Sequence, residues 1–164
     1  SFVIIEYFGI APQWFGMLFT LVVLGYMSGS LLGARLSHRK GYRELVRLGA
    51  LNCMLSGLLM LGFTLTGPAH VAMIIGPMML FMLGTGLVMP QSMAGALANY
   101  PHMAGSASGL LGFIQMSCAG IAGIVVGHGY DGTPLMMSSA IALMGVLTAA
   151  AYWLLIQKLP VSPD

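Results

Sequence analysis

The sequence predicts an all-α integral membrane protein, and three features of the chain lead to that prediction. First, 58% of the residues are apolar and only 6% are charged, whereas a soluble domain carries roughly a quarter of its residues as charged side chains. Second, residues 7–34, 48–130 and 132–157 contain no Asp, Glu, Lys or Arg. Third, these stretches are long and continuously apolar, without the alternation that is typical of membrane β-strands. We therefore expect helices that cross a bilayer several times.

Several segments are long enough to cross the apolar core of a bilayer, which takes about 20 helical residues. Pro12 precedes the first of them, and the pair Gly67-Pro68 ends the second. Residues 1–8 are expected to be the last turns of an earlier helix. Because the chain begins with Ser1 inside an apolar stretch and shows no signal peptide, we expect it to be a piece of a longer protein. The predicted spans of this single transmembrane bundle, which takes in residues 1–164, are 13–34, 45–66, 70–98, 104–127 and 134–157.

The basic residues can all be placed on one side of the membrane. Most of them fall between the first two spans, and Lys158 follows the last span. If this segment is cytoplasmic, as basic segments of bacterial inner-membrane proteins are, the predicted spans return Lys158 to the same side. We therefore expect a multi-pass protein of the bacterial inner (plasma) membrane with a cytoplasmic C-terminus. A basic segment of this kind indicates topology and not a nucleic-acid partner; it consists of Arg35, Arg39, Lys40, Arg43 and Arg47.

Small residues recur at every fourth position on two of the predicted spans. Residues four apart lie on one face of a helix, and faces of small residues are contact surfaces between membrane helices. The pattern fits packing within one bundle as well as contact between two bundles. These residues are Gly25, Gly29 and Gly33 on the first span, and Ala119, Gly123 and Gly127 on the fourth. On the third span, Pro77 and Pro90 are expected to kink the helix.

The ionisable residues indicate no metal site and no cofactor. Glu44 lies among the basic residues and is expected to pair with them, whereas Glu6 lies at the end of a predicted helix. The histidines fall in the basic segment or at the ends of spans, without the spacing of metal ligands. Cys53 and Cys118 fall in separate spans, so we interpret both as small packing residues.

An enzyme is the alternative that the sequence excludes most directly. Ser108 and His128 superficially resemble the serine and histidine of an intramembrane protease of the rhomboid kind. They occupy opposite ends of one predicted helix, about 30 Å apart, whereas a nucleophile and its base must share a hydrogen bond. No nucleotide-binding motif is found either. We therefore predict no catalytic residues and a protein that is not an enzyme.

Three segments of the chain resemble one known family. Residues 7–16 read YFGIAPQWFG, residues 33–43 read GARLSHRKGYR, and residues 101–109 read PHMAGSASG, preceded by Gly84, Gly86 and Pro90. In this order they are similar to the loop after helix seven, the basic loop between helices eight and nine, and the start of helix eleven, with helix ten before it. The family is that of the Bcr/CflA-type drug-resistance (multidrug efflux) transporters in the major facilitator superfamily.

The resemblance implies a fold and a partner. It implies the C-terminal six-helix bundle of a twelve-helix major facilitator fold, made of the end of helix seven and helices eight to twelve. The missing N-terminal six-helix bundle would be its partner and would hold the acidic residues that carry protons. In that fold helices eight and eleven cross the opposite bundle, which implies an inter-bundle role for both faces of small residues. The cytoplasmic loop would include Arg39, Lys40, Gly41 and Arg43.

The resemblance also implies a substrate cavity between helices seven, eight, ten and eleven. Polar side chains within the spans need a partner or a ligand, and Thr85 and Gln115 therefore rank above Asn52, which lies on helix nine. Methionine and aromatic side chains suit a cavity for varied apolar molecules, although they also suit a surface that faces lipid or a neighbouring helix. The candidate cavity residues are Gln115, Phe113, Thr85, Phe81, Met82 and Met78.

The functional hypothesis is a secondary active transporter that exports drugs or small metabolites, coupled to protons, by alternating access. Its partners would be the lipid bilayer, the other bundle, a small-molecule substrate and protons. Two alternatives stay open. The chain could be a helical membrane scaffold or subunit that transports nothing, or part of a metabolite uptake permease of the same superfamily.

Overall fold

The structure is a computed structural model that describes residues 12–67, 70–98, 101–129 and 135–156. No strand occurs in these ranges, so the all-α prediction is confirmed. The expected helix end at residues 1–8, Glu6 within it, and Lys158 all lie outside the described residues. The elements are α1 (Pro12–Leu65), α2 (Ala72–Ala98), a 3-10 turn (Pro101–Met103), α3 (Ala104–His128), α4 (Leu135–Ala151) and a π-helical turn (Tyr152–Ile156).

Helix α1 is broken at Gly41 into a first arm, residues 12–40, and a second arm, residues 42–65. Gly41 has φ 70° and ψ 157°, a conformation that is essentially restricted to glycine. A straight helix of 54 residues would be about 80 Å long, far more than the roughly 30 Å core of a bilayer. The basic segment that the sequence predicts as a loop is therefore helical on both sides of a one-residue break.

The first arm runs parallel to α2 in close contact. Gly25 faces Met79 of α2, and one turn further along the arm Gly29 faces Leu83. A Cβ atom on Gly25 would lie 2.5 Å from the carbonyl oxygen of Met79, and one on Gly29 would collide with the carbonyl oxygen of Leu83. Glycine is therefore what allows the two backbones to come this close.

The second arm runs antiparallel to α2 on another face of that helix. A Cβ atom on Gly84 would lie 2.7 Å from Sγ of Cys53 and 2.8 Å from the carbonyl oxygen of Gly49. At the other end of the contact, Gly95 lies against the ring of Tyr42, near the start of the arm. Helix α2 is thus held between the two arms of α1.

Helix α4 packs on the second arm, and two of the core clusters in the described residues include side chains of that arm. Gly57 of the arm faces Ala142, and a Cβ atom on Gly145 would lie 2.6 Å from the carbonyl oxygen of Cys53. The core clusters are Met60 and Ile74 with Met137 and Ile141 around them; Val46, Ala50 and Tyr152 with Val88; and, at the first arm, Val22 and Ile75 with Leu18, Val71, Met78 and Met82.

Helix α3 differs from the other helices because none of its 25 residues is buried. It is nonetheless as apolar as the rest. By length and composition, Gly16–Leu65, Ala72–Ala98, Ala104–His128 and Leu135–Leu154 are all able to cross a membrane. A helix of this length and composition, with almost its whole surface open, has room for further partners.

Replacing Gly29 by Ala should weaken the contact between the first arm and α2, because the new Cβ atom would collide with the backbone at Leu83. Overpacking of this kind typically costs about 1–3 kcal/mol. The thermal unfolding midpoint of the detergent-purified protein should therefore fall. Gly62→Ala is the matched control, since nothing lies within 4 Å of a Cβ atom there. Equal midpoints for the two variants would contradict the contact.

Replacing Gly41 by Ala should destabilise the turn between the arms. An alanine would have to adopt the φ of 70° found at this residue, at a cost of about 1–3 kcal/mol. Denaturant unfolding measured by circular dichroism should detect the loss. Gly105→Ala, with open space around its Cβ position, should be neutral or slightly stabilising. A Gly41→Ala protein as stable as the wild type would mean that the turn does not depend on this conformation.

Candidate functional site

The candidate site is a cleft between the second arm of α1, α2, α3 and α4. Its volume is about 530 Å³, within the range of roughly 300–1,000 Å³ that small-molecule sites occupy. Helix α2 supplies the largest wall, because successive side chains three or four residues apart share one face. The lining residues are Phe81, Thr85, Val88, Met89, Ser92, Met93 and Ala96 of α2, Cys53 of the second arm, Leu111, Ile114 and Gln115 of α3, and Met144 and Thr148 of α4.

Among the described residues, none that lines the cleft is charged, and several of its polar side chains are already hydrogen-bonded within the bundle. The Thr85 hydroxyl donates to the carbonyl oxygen of Phe81 at 3.0 Å, and the Thr148 hydroxyl donates to that of Met144 at 2.7 Å. The Cys53 thiol also donates to the Phe81 carbonyl, at 3.5 Å. Hydroxyl bonds to a carbonyl one turn back are a common way to satisfy Ser and Thr in helices. These groups therefore offer little to a ligand.

Gln115 is a polar residue of the cleft whose hydrogen-bonding capacity is largely unused. Its Nε2 donates to the Sδ atom of Met89 at 3.5 Å, and a thioether is a weak acceptor. The Tyr26 hydroxyl of the first arm donates to the same sulfur at 3.7 Å. The carboxamide of Gln115 has two N–H donors and a carbonyl acceptor, so most of its capacity remains for a ligand.

The structure brings together three of the six predicted cavity residues. Phe81, Thr85 and Gln115 line the cleft. Met78 and Met82 instead pack at the contact between the first arm and α2. Phe113 lies outside the cleft lining, with 70% of its surface exposed. A role in binding remains a prediction for all six.

Met89 and Ser92 belong to the cleft although sequence reasoning did not select them. Both share the α2 face of Thr85, at spacings of four and seven residues. Their helical spacing from Thr85 could have predicted that they share its face. It could not predict that this face lines a cleft. Cys53 and Thr148 come from helices that the resemblance places on the outside of the bundle, so the cleft differs from the expected central cavity.

Asn52 has a structural role at the glycine contact between α1 and α2. Its Nδ2 donates to the carbonyl oxygen of Leu80 at 2.6 Å. The Ser56 hydroxyl in turn donates to the carbonyl oxygen of Asn52, at 2.6 Å.

One of the two predicted inter-bundle faces needs a correction. Gly25 and Gly29 are buried against α2. A Cβ atom on Gly33 would lie 3.5 Å from Nε2 of Gln91, also on α2. This face is therefore a contact within the bundle, because the α2 backbone already occupies the space in front of it. On α3, by contrast, Gly123 and Gly127 have nothing within 4 Å of a Cβ position. Ala119 on the same face is exposed, and the inter-bundle role of this face stays a prediction.

The basic segment lies at the turn between the arms of α1. Arg39 and Lys40 are exposed at the end of the first arm, just before Gly41. Glu44 pairs with Arg47 at 3.5 Å, as the sequence suggests. Arg43 donates from Nε to the hydroxyl of Tyr42 at 3.3 Å. In the described ranges no group of three His, Cys, Asp or Glu side chains lies close enough together to hold a metal ion.

The described helices define the class: a helical membrane protein that crosses the bilayer several times. Comparison with known proteins finds relatives of the chain. A protein from Bacillus subtilis (strain 168), named uncharacterized MFS-type transporter YdgK, is 27% identical over 93% of this chain. Multidrug resistance protein D of Escherichia coli (strain K12) is 28% identical over 69% of the chain. The bicyclomycin resistance protein homolog of Haemophilus influenzae (strain ATCC 51907 / DSM 11121 / KW20 / Rd) is 26% identical over 96%.

These comparisons confirm the resemblance: over most of its length the chain is similar to transporters of the major facilitator superfamily, drug-resistance proteins among them. The chain spans 37%, 28% and 39% of the length of these three relatives. No protein-family model matches the chain, and no solved structure matches it with significance.

Removing the side-chain amide should lower the thermal stability of the protein at Asn52 but not at Gln115. Asn52→Ala should lower the thermal stability of the purified protein, because its 2.6 Å bond joins two helices; such bonds in membranes contribute about 0.6 kcal/mol on average and up to about 1.7. Gln115→Ala should leave stability nearly unchanged, because its amide meets only a thioether. Thermal unfolding of both variants measures this difference. A larger loss of thermal stability in Gln115→Ala than in Asn52→Ala would contradict the roles assigned to the two side chains.

Proposed function

We propose that this chain forms the C-terminal helical bundle of a secondary active transporter that exports drugs or other small molecules in exchange for protons. The geometric observation that carries the proposal is the uncharged cleft beside α3, a span-length helix that has no buried residue. The transporter class comes from the similarity to major facilitator proteins. Two of these relatives carry drug resistance in their names.

The second part of the proposal is that another six-helix bundle covers α3. Gly123 and Gly127 leave a smooth surface at which a second helix can approach closely. The relatives are more than twice as long as the chain, which leaves ample length for such a bundle. Alternating access would then move the two bundles against each other around a site near the midplane of the membrane.

Proton coupling is assigned to the other bundle. Within the described residues the only acidic side chain is Glu44, which lies in the basic segment and pairs with Arg47. A proton relay inside a membrane ordinarily uses an intramembrane carboxylate or histidine. The basic segment is assigned to the cytoplasmic side of a bacterial inner membrane, with the C-terminus on the same side.

A transport assay distinguishes the proposed exporter from the scaffold and uptake alternatives. The complete gene product that contains this chain should lower drug accumulation in cells that lack their main efflux pumps, and a protonophore should abolish that effect. A scaffold would leave drug accumulation unchanged with or without the protonophore. An uptake permease would raise accumulation of its substrate. Failure to change the accumulation or susceptibility of any compound in a broad panel would overturn the proposal.

Filling the cleft should block export without unfolding the protein. Ala96→Phe places a ring in the cleft, whereas Ala94→Phe places the same ring on an exposed position that is not part of the lining. We expect the first variant to lose most export and the second to keep it. Gln115→Ala should reduce export about three- to tenfold, the effect of one lost hydrogen bond. If Gln115→Ala and Ala96→Phe both transport every substrate normally, the cleft is not the substrate site.

A further inference from the structure

The lining of the cleft limits the charge of its ligand. In the described part of the chain, no Asp, Glu, Lys, Arg or His belongs to its walls. A charged ligand would therefore lose its hydration without gaining a counter-ion, which is costly in an apolar environment. Charge complementarity thus favours an uncharged molecule.

Two polar side chains of the cleft have capacity for a new hydrogen bond. The hydroxyl of Ser92 makes no hydrogen bond to any residue in the described ranges. Gln115 spends one N–H on the weak acceptor Met89. Met89 and Ser92 lie three residues apart on the same face of α2, so the Ser92 hydroxyl lies one turn from the sulfur that Gln115 contacts. Each of these two walls of the cleft therefore presents an uncharged hydrogen-bonding group, Gln115 on α3 and Ser92 on α2.

The remaining surface of the cleft suits an apolar body. Met89, Met93 and Met144 contribute flexible, polarisable thioethers, and the aromatic ring of Phe81 adds a flat surface. Water would find few partners there, since a buried water makes about three hydrogen bonds. A volume of about 530 Å³ accommodates a molecule of drug size.

We propose that the cleft binds an uncharged, mainly apolar small molecule whose carbonyl or hydroxyl group is hydrogen-bonded between Gln115 of α3 and Ser92 of α2. The ligand spans the gap between the two helices. This inference rests on the proposed transport function for its biological meaning, because the ligand would be a transported compound. Its test measures binding and charge selection directly, without any transport step.

Photolabelling with benzophenone tests the proposal. Benzophenone is an uncharged apolar ketone, and its excited carbonyl inserts preferentially into methionine side chains. The complete protein in phospholipid nanodiscs is irradiated with benzophenone, with a trimethylammonium derivative or with benzoylbenzoate, and labelled peptides are quantified by mass spectrometry. We expect benzophenone to label Met89, Met93 and Met144 above Met27, which is 59% exposed and outside the cleft. Both charged probes should label the cleft methionines at least about tenfold less.

Two substitutions and one control complete the experiment. Gln115→Leu and Ser92→Ala should each lower labelling of the cleft about three- to tenfold. Ser139→Ala should have no effect, because its hydroxyl bonds only to the carbonyl oxygen of Met136 outside the cleft. Circular dichroism checks that all variants are folded.

Three outcomes would overturn the inference. The cleft methionines could be labelled no more than Met27, as expected if a lipid acyl chain fills the cleft. The charged probes could label the cleft as strongly as benzophenone. Labelling could also be unchanged in both Gln115→Leu and Ser92→Ala. Because drug export by the same protein is measured separately, each of these results would leave the proposed function standing, whereas loss of export activity alone would not affect the binding result.

Discussion

The close approach of α2 to both arms of α1 is the contact on which the rest of the structure depends. Lipid is as apolar as the helices, so no hydrophobic force drives them together, and association relies on packing and hydrogen bonds. Dispersion is effective only at short range, and Gly29 and Gly84 remove the side chains that would hold the backbones apart. Because α2 is fixed from two sides, its rotation about its own axis is fixed as well.

That rotation determines which side chains of α2 become available. With Gly84 against the second arm and Gly86 against Tyr26 of the first arm, the face that carries Thr85 and Ser92 points into the cleft. The same contact places the Leu80 carbonyl within reach of Asn52. The glycines at the contacts with α1 thus determine where the polar side chains on another face of α2 lie. The cleft is a consequence of backbone packing as much as of its own lining residues.

The sequence predicts the helical class well because composition and length decide it. It also marks the basic segment as the boundary between two arms, although helix-forming residues there keep the backbone helical up to Gly41. The sequence predicts less about which helices pack against each other. A repeat such as Gly25 and Gly29 identifies a contact face, but the same pattern fits a helix of this bundle or of another. In the structure the neighbour is α2.

The candidate cavity residues illustrate the same limit. Each step along a helix turns a side chain by about 100°, so Met82 packs at the first arm while Phe81, one residue earlier, lines the cleft. Residue type cannot separate such neighbours, because Met and Phe suit lipid, helix contacts and ligands equally. Only the rotation of α2, set by glycine contacts that involve other helices, makes the distinction.

Helix α3 connects the cleft to the surface that is open to a second bundle. It carries Gln115 at the cleft, and Gly123 and Gly127 at positions without neighbours in the described part of the chain. An element with few buried contacts shifts at low free-energy cost. A ligand changes such an equilibrium only through a difference in its affinity for the two positions. A ligand whose polar group is hydrogen-bonded by both Gln115 on α3 and Ser92 on the firmly held α2 would supply that difference, because both bonds form only when α3 lies near α2. Under the proposed function, α3 is therefore the helix through which substrate binding would act on the other bundle.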